Sequence, residues 1–311
     1  MLKFAASLRR KSTPPIRDLQ DDFQGLYAPV FTCFQADDQQ TLQLGYINEY
    51  AAWLKSNGVK GVLVNGIAGE GPTLGLIERK LNAEAWSRAC KRHSLVMMLQ
   101  IGAAPLPDVL DLARHANELY LQAVVCISEM FYVPSRMKHL VGYCKIVAEK
   151  CTNHNFLYYH LPKHIDMKFD MEEFCRDAET EIPTFAGLIC SHGDLLSAAK
   201  CLGGNRVIFI GDSKMLASGM LLGFEAAIMT VVNIEPALMQ EIYQAMMRKD
   251  LKTAKIKQSY LNQLIRDHVT KGPSSWVADT KKWFNQKMST EEGCGVHVGE
   301  TRRFAIYEYD M

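Results

Sequence analysis

The chain has 311 residues, enough for two average domains or for one α/β barrel of about 250 residues. Lys+Arg number 35 against Asp+Glu 34, with 48% hydrophobic and 22% charged residues, which is ordinary globular composition without a net field to attract polyanions. Nucleic acid is therefore not an expected partner, and the longest apolar runs, Leu95 to Leu99 and Ala226 to Val232, fall well short of the ~20 residues that cross a bilayer.

In chain order, the first feature is a basic start. Lys3, Arg9, Arg10, Lys11 and Arg17 precede the first acid, Asp18, among Ser7, Ser12 and Thr13, and Pro14-Pro15 stops any helix. Residues 1–21 read as a disordered basic extension of a cytoplasmic protein, with a short mitochondrial presequence as the alternative. Nine cysteines, an odd number without a CxxC pair, sit in apolar segments and read as reduced, packed thiols of a reducing compartment.

From residue 24, short β-rich apolar runs alternate with longer helical stretches, the pattern of βα units around a parallel sheet. Strands are expected near Gly25 to Thr32, Gly61 to Gly66, Leu95 to Gly102, Ala123 to Ser128, Phe156 to His160, Ala186 to Cys190, Arg206 to Gly211 and Ala226 to Val232. Amphipathic stretches lie between them, including Leu44 to Asn57, Leu76 to His93, Leu106 to Leu119, Met137 to Lys150 and Leu195 to Leu202. Eight such strands close a (β/α)8 TIM barrel, an α/β fold without sheet edges, over residues 22–234. Pro236 to Arg248, Leu251 to Val269 and Ser274 to Met288 read as helices of a C-terminal extension, 235–292, packed on the barrel, and the 293–311 tail carries no recognisable chemistry.

Barrel chemistry sits where strands end and βα loops begin. The second strand runs into Asn65-Gly66-Ile67-Ala68-Gly69-Glu70-Gly71, a glycine-spaced turn whose backbone amides can face an anion. With Tyr158-Tyr159-His160-Leu161-Pro162 and Ile182-Pro183-Thr184-Phe185-Ala186-Gly187-Leu188, it resembles the N-acetylneuraminate lyase branch of the dihydrodipicolinate synthase superfamily over roughly residues 22 to 250. That resemblance implies a (β/α)8 class I aldolase or lyase, usually tetrameric, that holds pyruvate as a Schiff base and cleaves or forms sialic acid and related 2-oxo acids.

Carried onto this chain residue by residue, the resemblance is incomplete. The family's GTTGE or GSTGE turn holds the pyruvate carboxylate with two hydroxyls; here those positions are Ile67 and Ala68, while Gly66, Gly69 and Glu70 remain. Each charge-assisted bond so lost is worth roughly 1.5 to 3 kcal/mol. Tyr159 matches the proton-shuttling tyrosine. The Schiff-base lysine position of the family's GLK segment is occupied by Ile189, pinned by Ile182-Pro183-Thr184-Phe185 before it and Asp194-Leu195-Leu196 after it. An isoleucine offers no nucleophile, and class I chemistry needs a desolvated amine of lowered pKa. The sugar-contacting GxDE becomes Gly211-Asp212-Ser213-Lys214, and bulk at Phe224, Met229, Val231 and Val232 stands where small residues leave room for ligand.

Lys214, and more weakly Lys163, are the candidate relocated amines. Cys190, Ser191 and His192 follow the lysine position and offer a conceivable Cys/His nucleophile. His160, His192, Asp212 and Glu225 offer conceivable metal ligands, but no ligand spacing is distinctive, and no metal or other cofactor is expected. The binding candidates are thus Gly66, Ile67, Ala68, Gly69, Glu70, Cys190, His192, Gly211 and Asp212, and the catalytic ones Tyr159, Ile189 as an incompetent position, and Lys214 as a replacement. Three readings remain open: a binding or regulatory barrel for a small molecule held in its mouth, a non-imine enzyme acting on a less polar substrate, and a lyase whose lysine has moved.

Overall fold

The computed structural model describes residues 19–162, 164–165, 167–191, 195–269, 276–290 and 293–302. Eight parallel strands close a barrel in sequence order: β1 (Gly25–Pro29), β2 (Gly61–Val64), β3 (Val96–Gln100), β4 (Ala123–Cys126), β5 (Asn155–His160), β6 (Phe185–Cys190), β7 (Val207–Ile210) and β8 (Ala226–Ile228), which pairs back to β1. The TIM barrel expected from the alternation of elements is therefore present, with shorter strands at several C-terminal ends. The last strand stops at Ile228 because Thr230–Asn233 turns into a 3-10 helix. Asn233 is fixed there, accepting from the Tyr50 hydroxyl at 2.6 Å and donating to the Pro29 carbonyl at 2.9 Å.

Helices α2 (Ile47–Ser56), α3 (Leu76–His93), α4 (Leu106–Ala116), α5 (Met137–Ala148), α6 (Met171–Glu181), α7 (Leu195–Lys200) and α8 (Leu216–Leu221) lie between the strands, and α1 (Leu19–Phe23) precedes β1. Helix α4 shows why these segments are helical: Val109, Leu112, Ala113 and Ala116 recur at the spacing of one helix face and are buried, while Asp111 stays at the surface and pairs with Lys80 of α3 at 2.6 Å.

Ring contacts identify the lumen. Tyr27 of β1 meets Phe209 of β7 edge to face at 5.3 Å, and Phe23 of α1 meets Phe209 at 5.9 Å. Strands β1 and β7 are not neighbours, so these rings meet inside the barrel, and they fill its N-terminal end. Ile189 is in register with Phe209, and Tyr159 with Ile189, so the three share the inward face. Tyr158, one residue away, points outward and packs on Phe174 of α6 at 4.7 Å. Gly187 lets β6 and β7 come this close, because its φ of 138° and the adjacent Val207 carbonyl leave no place for a Cβ.

The C-terminal helices α9 (Pro236–Met247), α10 (Leu251–His268) and α11 (Trp276–Met288) pack on the barrel. Phe284 of α11 lies 5.0 Å from the Tyr50 ring of α2 and 5.5 Å from Phe31 after β1. Residues 293–302 then return to the barrel. The Phe34 amide donates to the Val298 carbonyl at 3.1 Å, Asn285 grips Val298 and Gly299 at 2.9 and 3.2 Å, and Val296 and Val298 are buried.

One sequence expectation is corrected. Gly223-Phe224-Glu225 precedes β8 and lies at the N-terminal end of the barrel, where the Glu225 carbonyl accepts from the Gly25 amide and the Tyr243 hydroxyl, both at 2.9 Å. Phe224 therefore does not crowd the mouth, and Glu225 cannot join His160 and Asp212 around one ion. Met229, directly after β8, does lie at the C-terminal end and is fully buried.

Candidate functional site

The C-terminal end of β2 leads into a tightly built turn. Asn65 and Glu70 adopt left-handed backbone conformations, φ 57° and 54°, and the Asn65 side chain is fixed by the Arg79 carbonyl at 3.0 Å and the Asn82 amide at 2.8 Å. The Thr32 hydroxyl donates to the Gly69 carbonyl at 2.5 Å. Two turn amides are consumed internally, Glu70 to the Ile67 carbonyl at 2.9 Å and Gly71 to the Gly66 carbonyl at 3.1 Å. The amides of Ile67, Ala68 and Gly69 have no hydrogen-bond partner among the described residues and remain as donors for an anion. Ile67 is half-buried, whereas Gly66, Ala68, Gly69 and Glu70 are buried.

Glu70 does not share that availability. One carboxylate oxygen accepts from Lys281 of α11 at 2.8 Å and the other from the Arg302 amide at 2.6 Å, with Glu70 and Lys281 only 0% and 1% exposed. Burial pushes the Glu70 carboxyl up and the Lys281 ammonium down, and their mutual attraction opposes both shifts. Lys281 also donates to the Glu300 carbonyl at 3.0 Å, and the Arg302 guanidinium grips Glu78 at 2.7 and 2.8 Å. Both cations lie 4.6 Å from the centre of the Phe34 ring. Glu70 thus fastens the turn to α11 and to the C-terminal segment. Sequence reasoning passed over Lys281 and Arg302. Lys281 carried a usable signal, because it shares one helix face with Val277, Thr280, Phe284 and Met288, and a lysine on a buried face implies a buried acid.

Across the lumen the wall is apolar. Ile189 is fully buried, Tyr159 is 7% exposed, and Phe209, in register with Ile189, is fully buried. Burial raises the Tyr159 phenol well above its ordinary value, which keeps it protonated and a hydrogen-bond donor. Cys190 alternates with Ile189 and is paired in register with His160, so both face outward. Burial pushes the Cys190 thiol up to about 12 and the His160 imidazole down to about 4, and His160 Nδ1 is buried without a hydrogen-bond partner among the described residues. At β7, the Gly211 amide donates to the Cys190 carbonyl at 2.9 Å, and Asp212 caps the following turn by accepting from the Lys214 amide at 3.0 Å. Lys214 is exposed, and its carbonyl accepts from Asn262 of α10. Lys163 and His192 lie outside the described residues, and among the described residues no three His, Cys, Asp or Glu side chains group to hold a metal.

The structure thus brings the βα2 turn, Tyr159, Ile189 and Met229 to the C-terminal end of the barrel, turns Cys190 away from the lumen, and commits Glu70 to the C-terminal segment. Among the described residues no helix is long and apolar enough to cross a membrane.

Comparison with known proteins places these features in a family setting. The profile of the dihydrodipicolinate synthetase family matches residues 22–285. The chain is similar to the N-acetylneuraminate lyases of Pongo abelii and Homo sapiens, 31% and 30% identical over 74% of this chain and 73% of each relative. In three dimensions it is similar to the N-acetylneuraminate lyase of Proteus mirabilis, with a TM-score of 0.81, 28% identity and coverage of 90% of this chain and 91% of that one. It is also similar to that of Aliivibrio salmonicida, with a TM-score of 0.80, 29% identity and coverage of 90% and 89%.

Proposed function

The chain belongs to the dihydrodipicolinate synthetase family, and from that membership we propose that it is an N-acetylneuraminate lyase-like barrel that has lost imine chemistry and binds a small acid non-covalently in its mouth. The observation that carries this reading is Ile189, fully buried on the inward face beside Tyr159, at the position where the family resemblance puts the Schiff-base lysine. Carbon–carbon cleavage by a class I enzyme draws electrons into an iminium, which needs an amine, and a hydrocarbon side chain cannot supply one. Lys214 is a poor substitute, since its side chain is exposed to solvent whereas Ile189 and Tyr159 are buried on the inward face of the barrel.

What remains suits binding. The amides of Ile67, Ala68 and Gly69, without a hydrogen-bond partner among the described residues, are donors a carboxylate could use, and the Tyr159 phenol is a donor for an oxo or hydroxyl oxygen. Ile67, Ala68 and Ile189 give the ligand an apolar surround, and by resemblance sialic acid lyases offer hydroxyls at the Ile67 and Ala68 positions. The family likeness also suggests a homotetramer, and the exposed side chains of Met130, Phe131 and Tyr132 after β4 supply apolar surface for association between copies.

Borohydride reduction in the presence of pyruvate and of N-acetylneuraminate, read by intact mass and peptide mapping, tests the proposal. The expected result is folded protein without an adduct, and a reduced adduct on Lys214 or Lys163 overturns it in favour of a lyase with a relocated amine. Thermal stabilisation then separates the remaining readings: 2-oxo and hydroxy acids raise the melting temperature of a binding barrel, whereas stabilisation only by apolar compounds points to a different substrate and a non-imine reaction.

A further inference from the structure

The barrel has a second opening, at the N-terminal ends of its strands, and on the side of β3 to β6 it forms a polar cleft of about 630 Å³. Its walls are strand starts and the turns that lead into them: Gln122 precedes β4, Asn155 begins β5 after Asn153 and His154, and Thr184 precedes β6. Phe23 of α1 also lies in the lining, only 2% exposed, with its ring packed on Phe209. The aromatic plug therefore separates this cleft from the mouth at the other end of the barrel, and the acid binding proposed for the mouth does not use it.

From this geometry we propose that the cleft is a second ligand site, which takes a neutral polyhydroxylated molecule of monosaccharide size. Its polar atoms are fixed in direction. Gln122 Oε1 accepts from the Met97 amide at 2.7 Å, and the Gln122 carbonyl accepts from Asn155 Nδ2 at 3.1 Å. Both side-chain amides thus have one end committed, and that bond sets which way each of them points. The other ends, the Gln122 Nε2 donor and the Asn155 Oδ1 acceptor, line the cleft without a hydrogen-bond partner among the described residues. The Thr184 hydroxyl is likewise unpaired among the described residues, while the Thr184 carbonyl is held by the Phe156 amide at 2.7 Å.

The charge pattern sets the ligand class. Among the described residues no lysine or arginine lines the cleft, and its one carboxylate, Asp22, is exposed. His154 donates from Nε2 to the Ala116 carbonyl at 3.0 Å, and burial lowers its pKa, which keeps it uncharged at neutral pH. An anion would find no cation here, and a single exposed carboxylate holds a cation only weakly. A hydroxyl group donates and accepts at once, and so matches a lining that offers an amide donor, an amide acceptor and a hydroxyl. The volume falls within the range of about 300–1,000 Å³ usual for small-molecule sites. Because both amides are already held, little side-chain ordering opposes binding.

The test uses the full chain, labelled with nitrogen-15 and titrated with D-glucose and with sorbitol as ring and open-chain probes of the same chemistry. Side-chain amide resonances are the readout, because polyols at high concentration stabilise proteins by exclusion from the surface, and a melting temperature would not separate that effect from binding. The expected result is a saturable shift of the Gln122 and Asn155 side-chain signals with at least one probe, and no movement of either signal with pyruvate. Gln122→Glu keeps the acceptor for the Met97 amide and removes the Nε2 donor, and Thr184→Val removes the hydroxyl while keeping its shape. Each should weaken binding, read at Asn155, by about tenfold. Should Gln122→Glu fail to fold, Thr184→Val carries the test alone. Shifts that rise without saturating, affinity unchanged in the folded variants, or a pyruvate response at the same signals overturns the assignment.

Discussion

Two walls of the barrel mouth differ in what their polar groups are doing. On the side of β1 and β2, Asn65, Glu70 and Gly71 of the turn are engaged in hydrogen bonds, and Glu70 binds α11 and the C-terminal segment through Lys281 and the Arg302 amide. On the side of β5 to β7, Tyr159, Ile189 and Phe209 line the lumen with hydrocarbon and a single phenol. The difference teaches that a family motif can persist for two reasons. The Gly-Glu part of the βα2 turn has a structural role that holds whatever the site binds, whereas the side chains of Ile67, Ala68 and Ile189 make no such polar contacts. Retention of Glu70 is then evidence about the fold, and Ile189 is evidence about chemistry.

The largest effect should come from breaking the first wall. Glu70→Ala leaves the Lys281 ammonium buried without its partner, and removing one member of a buried pair costs about 3–5 kcal/mol. Urea unfolding should show that loss. Glu70→Leu combined with Lys281→Met, which removes both charges and keeps apolar volume, should recover most of it, because replacing a buried pair by hydrocarbon is often neutral. Ile189→Val on the opposite wall deletes one buried methylene and should cost only about 1 kcal/mol. A Glu70→Ala loss no larger than that of Ile189→Val would erase the distinction between the walls.

The contrast also explains what could be read from the amino-acid sequence. The barrel was legible because its signals are local and repeated: β-rich runs alternating with faces such as Val109, Leu112, Ala113 and Ala116. The inward direction of Tyr159 and Ile189 follows from the period of a strand once the strand is found. The role of Glu70 was not legible, because its partners lie 211 and 232 residues further along the chain. The position of Phe224 was misjudged for a different reason. The eighth strand, expected from Ala226, already puts Phe224 before it, and the pairing of Ala226 with Gly25 fixes Glu225 just below the start of β8.

Acid titration gives a smaller effect, confined to the second wall. His160 faces outward from β5 next to Cys190, and burial holds its folded pKa at about 4, below the ~6.5 of an unfolded histidine. The unfolded chain therefore takes up a proton that the folded chain refuses. Stability from this source is complete above pH ~6.5 and is lost as the pH falls toward 4, by up to about 3 kcal/mol. His154 is lowered in the same direction by its own burial, so the measurement that isolates His160 is the difference between wild type and His160→Gln. Urea midpoints taken from pH 7 to pH 4.5 should fall more steeply for wild type than for the variant. Parallel curves would mean that His160 is solvated and that this wall is more open than its burial indicates.

The smallest effect has the opposite sign and probes the floor between the walls. Tyr27 packs edge to face on Phe209, and its hydroxyl is buried without a hydrogen-bond partner among the described residues. Burying an unsatisfied hydroxyl is unfavourable, so Tyr27→Phe should raise stability by about 1 kcal/mol while keeping the ring contact. The same change applied to Tyr159 should behave differently, because that phenol sits on the inward face beside Ile189, where the proposed ligand needs a donor. Tyr159→Phe should leave the unfolding midpoint nearly unchanged and weaken the thermal shift given by 2-oxo acids. If Tyr27→Phe destabilises the protein instead, its hydroxyl has a solvent partner, and the lumen is wet down to its N-terminal plug. The apolar character assigned to the second wall would then stop at Ile189 and not extend through Phe209.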